Sequence, residues 1–155
     1  SLDVISELLF SETASLYRRL VVEEQSVDIL SGGLGDHRDP YLFTVTARAK
    51  SDDLLPQVES AIREAIAVLQ QTPIEAERLD QIKSHMRYRF ALGLDSPSAI
   101  AFTVAHYLSL TGSVETINEI YERYDEVGPE DVQATASKYF TADRETVVVL
   151  SHPAS

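Results

Sequence analysis

The chain has 155 residues, 44% of them hydrophobic, which is enough for one domain with a buried core. Its 25 acidic against 13 basic residues give a net charge of -12, a field that repels a nucleic-acid backbone and argues against DNA or RNA as a partner. The absence of cysteine excludes disulfides, thiolate metal sites and a cysteine nucleophile, and no apolar run approaches the ~20 residues that span a bilayer.

Val4, Ile5, Leu8 and Leu9 recur at helical spacing from the start, and Leu16, Leu20 and Val21 resume the pattern after an interruption at Ser11 to Thr13. Ser1 to Phe10 carry Asp3 and Glu7 but no basic residue, which is not the pattern of a signal peptide. The chain opens directly into an apolar periodic segment, as a piece of a longer chain would. Val27 to Leu30 and Tyr41 to Ala49 read as strands. In the second, Phe43, Val45, Ala47 and Ala49 share one side, and Thr44, Thr46 and Arg48 the other. The polar link Asp36-His37-Arg38-Asp39-Pro40 makes the pair a hairpin, and Gly32-Gly33 suggests a bulged or twisted strand end.

The period then changes. Leu55, Val58, Ile62, Ile66 and Leu69 form one helical stripe. Thr72-Pro73-Ile74-Glu75 has the form of a capping box before a helix with Leu79, Ile82, Met86 and Phe90 on one side. Ser96-Pro97 starts another helix, with Ile100, Val104 and Leu108, that stops near Gly112. A shorter one carries Ile117, Ile120, Tyr121 and Tyr124. Gly128-Pro129 opens a last helix, with Val132, Ala136, Tyr139 and Phe140 expected inward, and Thr146 to Leu150 reads as a final apolar strand. This order predicts an α+β fold: a small, mostly antiparallel sheet packed against several helices, in a single domain over residues 1–155.

Chemistry is sparse. A zinc-peptidase helix needs two histidines three or four residues apart beside a glutamate. His37, His85, His106 and His152 hold no such pair; the nearest two, His85 and His106, are 21 residues apart. His85 stands among Lys83, Arg87 and Arg89, which oppose a bound cation, and His37 reads as a solvated loop residue. Ser31-Gly32-Gly33 lacks the surroundings of a serine nucleophile, and Gly32-Gly33-Leu34-Gly35 lacks the lysine of a phosphate loop. Arg18-Arg19 and Lys83/Arg87/Arg89 are expected to be ion-pair partners rather than an anion site. Glu23-Glu24 and Glu75/Glu77 read as a solvated face. No catalytic, cofactor-binding or metal-binding residue is assigned.

Several strings in order resemble one family. Leu16-Tyr17-Arg18-Arg19-Leu20-Val21-Val22-Glu23-Glu24-Gln25, then Asp39-Pro40-Tyr41-Leu42-Phe43, then Thr72 to Lys83 are similar to segments of the pitrilysin/insulinase-type zinc metallopeptidases, or inverzincins. Leu94-Asp95-Ser96-Pro97, Leu110-Thr111-Gly112, Tyr124 to Val132, Tyr139-Phe140 and Thr146 to Leu150 extend the likeness over nearly the whole chain. No single string is specific; their order and spacing are.

The resemblance implies the C-terminal half of one lobe, mitochondrial-processing-peptidase-like, in a chain that is a fragment of a longer one. In this family two lobes close around a peptide, and zinc sits on an inverted HxxEH helix in the first half of one lobe. Zinc would therefore belong to the parent protein, with none bound by this chain, and the chain alone would be inactive. The implied partners are the remaining half of the lobe, a second lobe or subunit, and a peptide substrate, with neither nucleic acid nor membrane. Leu42 to Ala49 or Thr146 to Leu150 would add a peptide strand, and an exposed sheet edge would favour a homodimer. The compartment stays open between bacterial periplasm and cytoplasm, in a soluble protein.

The family's zinc-free lobe carries an arginine and, seven residues later, a tyrosine as oxyanion donors. Aligned on Leu20, those positions are Val21 and Asp28, and neither can donate. The likeness thus implies the second half of the zinc-bearing lobe or a degenerate partner lobe. A non-catalytic scaffold lobe of a peptidase complex is the alternative, and a free-standing binding domain is a third.

Overall fold

A computed structural model describes residues 1–35, 37–39 and 41–151. It has the α+β fold expected. Helix α1 (Leu2–Phe10) is followed by one turn, α2 (Ser15–Tyr17), which widens into a π-helical stretch (Arg18–Glu23) closed by Glu24 N–H donating to Arg19 O at 2.8 Å. Strands β1 (Val27–Leu34) and β2 (Phe43–Ala49) pair antiparallel, with Leu30 opposite Ala47 and Leu34 opposite Phe43. Helices α3 (Leu55–Gln71), α4 (Ala76–Gly93), α5 (Pro97–Thr111), α6 (Thr116–Glu126) and α7 (Pro129–Tyr139) follow.

Helix α1 lies against β1, and the glycines of that strand explain how closely. A Cβ on Gly32 would run into the Phe10 ring, and one on Gly33 would come within 3.1 Å of Ser6 Oγ. Ser6 donates its hydroxyl proton to Gly32 O across the same contact. The expected bulge is elsewhere: pairing slips between Val27 and Ile29, while the glycines stay in register opposite Val45 and Thr44. Gly32 and Gly33 serve close helix-strand packing rather than a strand end.

The core forms where α1, the π-helical stretch, β1, α3, α4 and α7 meet. Ile5, Leu20, Leu79, Val4, Val27 and Val132 are its largest fully buried side chains. Each fully buried residue of this size stabilises the fold by about 1.5–3 kcal/mol relative to exposure. A polar clamp joins α3 to α7. Gln70 Nε2 donates to Ala136 O (3.2 Å) and Phe140 O (2.7 Å), and Gln133 Nε2 donates to Gln70 O (2.9 Å). Phe140 O and Gln70 O, at the ends of α7 and α3, gain partners from this clamp, and Ala136 O, which already accepts from Phe140 N–H, gains a second.

Helix boundaries follow their signals in three of the four places where the sequence marks them most clearly. Ser96 Oγ accepts from Ala99 N–H at 3.2 Å with Pro97 in the first turn, and Gly112 ends α5 at φ 78, in the left-handed region. Gly128 N–H donates to Asp131 Oδ2 at 2.8 Å to open α7 behind Pro129. At α4 the expected capping box does not form: the helix begins at Ala76 behind an extended Glu75, with no side-chain cap.

The last strand and one inward-facing residue also depart from expectation. Thr146 to Leu150 pairs with no strand among the described residues, and Val148 and Leu150 are 77% and 93% exposed. The segment leaves the body after Arg63 grips Glu145 through two nitrogens at 3.0 Å, and no described strand offers it backbone partners. Ile100, Val104 and Leu108 of α5 are exposed, with Phe102 at 76%; the main packing of α5 is on α6. Tyr139 points outward, while Val132 and Ala136 of the same helix are buried. His152, Asp36 and Pro40 lie outside the described residues.

Candidate functional site: two clefts along the first strand

Beside β1 the structure brings together groups that are far apart in sequence. Glu7, on the inner side of α1, is only 7% exposed. Such a carboxylate is costly to bury without partners, and α4 supplies two. Glu7 Oε1 accepts from His85 Nδ1 at 3.0 Å, and Glu7 Oε2 faces Arg89 Nη1 at 3.1 Å. The periodicity that places Leu79 and Ile82 in the core turns His85 and Arg89, at i and i+4, toward α1.

This bridge separates two clefts. The larger, about 530 Å3, has Phe10, Ile29 and Leu30 as apolar lining, with Thr13, Tyr17, Glu12 and Asp28 around them and His85 and Arg89 from α4. The smaller, about 350 Å3, is lined by Asp3, Ser6 and Glu7 from α1, Leu34 from β1, Met86, Arg89 and Phe90 from α4, and Tyr121 and Tyr124 from α6. Both therefore border β1, which pairs with β2 on one side and has no partner strand on the other among the described residues.

The aromatic wall of the smaller cleft is ordered. Phe90 and Tyr121 have ring centroids 4.9 Å apart, and Tyr121 meets Tyr124 edge to face at 5.6 Å. Tyr124 donates its hydroxyl to Asp3 Oδ2 at 3.0 Å. Burial pushes the Tyr121 hydroxyl up to about 12, and burial followed by the Asp3 charge pushes Tyr124 higher still.

The residues weighed from the sequence fall as follows. His85 is an ion-pair partner of Glu7, and His37 is exposed with its ring centroid 4.2 Å from that of Tyr41. His106 meets Tyr107 edge to face, with ring centroids 5.5 Å apart. The basic clusters are paired: Arg18 with Glu23 (3.0 Å), Arg19 with Glu24 (2.8 Å), Arg89 with Glu7, and Arg87 with Asp125. Lys83, itself buried, donates to Asp125 O at 3.0 Å. Asp28 lies 3.6 Å from Arg48, and Val21 is half-buried. The Glu7 bridge was missed because both its ends look ordinary in sequence. The available signal was a lone glutamate on the apolar side of α1, between Val4 and Leu8.

The donors present do not fit a zinc ion. Among the described residues no three His, Asp or Glu side chains converge, and the one buried carboxylate-imidazole pair has a guanidinium on its second oxygen. No helix of the described residues is long and apolar enough to cross a membrane.

A protease from Helicobacter pylori is similar at TM-score 0.81 and 21% identity over 92% of this chain and 35% of that one. A conserved protein from Enterococcus faecalis V583 is similar at TM-score 0.67 and 18% identity over 88% of this chain and 32% of that one. At these identities the likeness is one of fold, and the chain spans about a third of the length of either solved chain. Curated proteins give no match. Residues 1–86 match the family described as the peptidase M16 inactive domain. The chain belongs to that family, as the order of its sequence strings led us to expect.

Proposed function

We propose that this chain is the structural and substrate-chamber half of a lobe in a zinc-dependent metalloendopeptidase. In this reading zinc is held by polypeptide outside residues 1–155, where it would polarise the scissile carbonyl and its bound water. No step of that chemistry runs through residues of this chain. The remaining half of the lobe and a second lobe or subunit complete the chamber. The observation that carries the reading is that two clefts take part of their lining from β1, a strand with a single partner among the described residues. An extended peptide added there makes main-chain hydrogen bonds to the strand and sets alternate side chains into the clefts. Of the strands expected earlier, β2 within Leu42 to Ala49 also has one partner only, Thr146 to Leu150 forms no strand, and the clefts add β1 as a candidate.

The test is binding of an extended peptide and of the same peptide N-methylated at alternate amides. Strand addition requires the methylated peptide to lose binding by at least tenfold. Equal binding of the two, or peptide hydrolysis by the chain with no partner added, sinks the proposal.

A second reading, a non-catalytic scaffold lobe, is favoured by one observation. Val21 and Asp28 stand where the resemblance calls for an arginine and a tyrosine, and Asp28 is turned to Arg48. An HxxEH-containing partner or upstream segment whose activity needs this chain supports the first reading. Activity that persists without this chain supports the second.

A further inference from the structure

We propose that the hairpin of α5 and α6 is a hinged lid over the smaller cleft, closed in this structure and free to swing away from α1 and α4. The inference goes beyond the peptide-binding reading and holds whatever enters the cleft.

The hairpin is held differently from the body. Neither α5 nor α6 buries a residue. Among the described residues of the two helices, Tyr124 alone packs a hydrophobic side chain against the core. Its hydroxyl donates to Asp3 Oδ2 on α1 at 3.0 Å, and Tyr121, one turn earlier, sets its ring centroid 4.9 Å from that of Phe90 on α4. Arg87 of α4 also pairs with Asp125, but both side chains are about half exposed, and water screens such a pair. An element fastened by one half-buried ring and by solvated polar contacts opens at much lower cost than the core unfolds.

Both joints of the hairpin allow it to turn. Gly93 ends α4, and a Cβ there would meet nothing within 4 Å, so the link through Leu94 to Ser96 has room to rotate. At the other joint Val127 and Gly128 are extended, before Pro129 and the buried Val132 fix the chain in the body again. Lys83, itself buried, donates to Asp125 O at 3.0 Å and holds α6 beside this second joint, as a pivot. The far turn keeps the two helices together: the Thr111 and Thr116 hydroxyls meet across it at 2.8 Å.

Tyr121 and Tyr124 are the residues by which α6 walls the smaller cleft, whose other lining comes from α1, β1 and α4. Swinging the hairpin away removes that wall and turns Met86 and Phe90 to solvent. Closure rebuilds it, with the rotation absorbed at a few joint residues. The cleft is therefore a property of the closed arrangement, and a ligand that fills it favours closure.

The chain lacks cysteine, so introduced thiols carry spin labels at chosen positions alone. Ala105→Cys on α5 with Ser60→Cys on α3 reports the lid. Glu12→Cys with Ser60→Cys reports the body, and all three positions are exposed. Pulsed electron resonance on the lid pair is expected to show a main distance and a minor longer one. Tyr124→Phe removes the hydroxyl tie and keeps the ring, and it should raise the longer fraction about fivefold. Gly93→Ala places a methyl in open space and stiffens the joint, and it should lower that fraction about threefold. The body pair should keep one distance throughout. A single distance for the lid pair in Tyr124→Phe, or a longer fraction that Gly93→Ala leaves unchanged, overturns the lid. A body pair that changes along with the lid pair overturns it too, because the whole fold would then be loosening.

Discussion

Two regions of this chain are written in the same alphabet of apolar stripes and end up in opposite states. Residues 1–83, with α7, hold every fully buried side chain among those described; from Ser84 to Asp131 there is none. Yet α5 holds no Asp, Glu, Lys or Arg and carries Ile100, Phe102, Val104 and Leu108. The difference lies in what each stripe faces. Helix α1 has a strand beneath it whose glycines let the backbone come close, whereas the main neighbour of α5 is α6, which buries no residue itself. An apolar stripe specifies a surface to be covered, and the cover must come from other residues.

The largest effect that separates the regions is core truncation. Leu20→Ala removes a fully buried side chain and is expected to cost about 2–5 kcal/mol. Phe102→Ala, at a larger but exposed side chain, should stay within about 0.5 kcal/mol. Urea unfolding of the two variants measures both. A cost for Phe102→Ala comparable to that of Leu20→Ala would abolish the distinction.

The same contrast explains what could be read from the sequence. The hairpin, the helix order and the stripe through Val58 and Leu69 were legible because their cover lies within the chain. Thr146 to Leu150 was misread as a strand because an apolar run reports that a face is apolar and not that its partner is present. Ser96-Pro97 and Gly128-Pro129 were legible as local chemistry, since a cap acts within four residues. Thr72 to Glu75 shows the limit of that: the same letters left α4 to begin at Ala76, without a cap. The clefts were illegible, being assembled from α1, β1, α4 and α6 across more than 100 residues of sequence.

At the seam between the regions stands the Glu7 bridge, and breaking it comes next in size. Glu7→Gln keeps the shape and removes the charge that Arg89 and His85 face. Both partners are partly exposed and can regain water, so the cost is expected at about 1–3 kcal/mol rather than that of a fully buried pair. Faster hydrogen exchange in α4 from His85 onward, with β2 unchanged, would place the bridge as the tie between regions. Uniform loss of protection would make it part of the core instead.

Alkaline pH gives a milder version of the same test. Tyr121 is raised to about 12 and Tyr124 higher, mainly by burial. Between the unfolded value near 10 and the folded one, only the unfolded chain ionises. The stability these hydroxyls contribute is therefore full below pH 10 and is lost as pH rises toward 12. Tyr124→Phe should flatten that decline, as read by urea midpoints from pH 9 to 11.5, and a decline that stays the same would assign it to other groups.

The smallest global effect should come from the cap of α5. Ser96 Oγ satisfies Ala99 N–H at 3.2 Å, a bond whose loss in Ser96→Ala costs a helix about 1 kcal/mol. In a helix welded to the core that cost would appear in full as lost global stability. Helix α5 buries no residue, so its fraying need not be coupled to unfolding of α1 and β1. The expected outcome is a nearly unchanged urea midpoint together with about fivefold faster amide exchange in the first turns of α5. A midpoint shift carrying the whole 1 kcal/mol would mean that α5 unfolds with the core, and its exposed stripe would then be a working part of the domain rather than a surface awaiting cover.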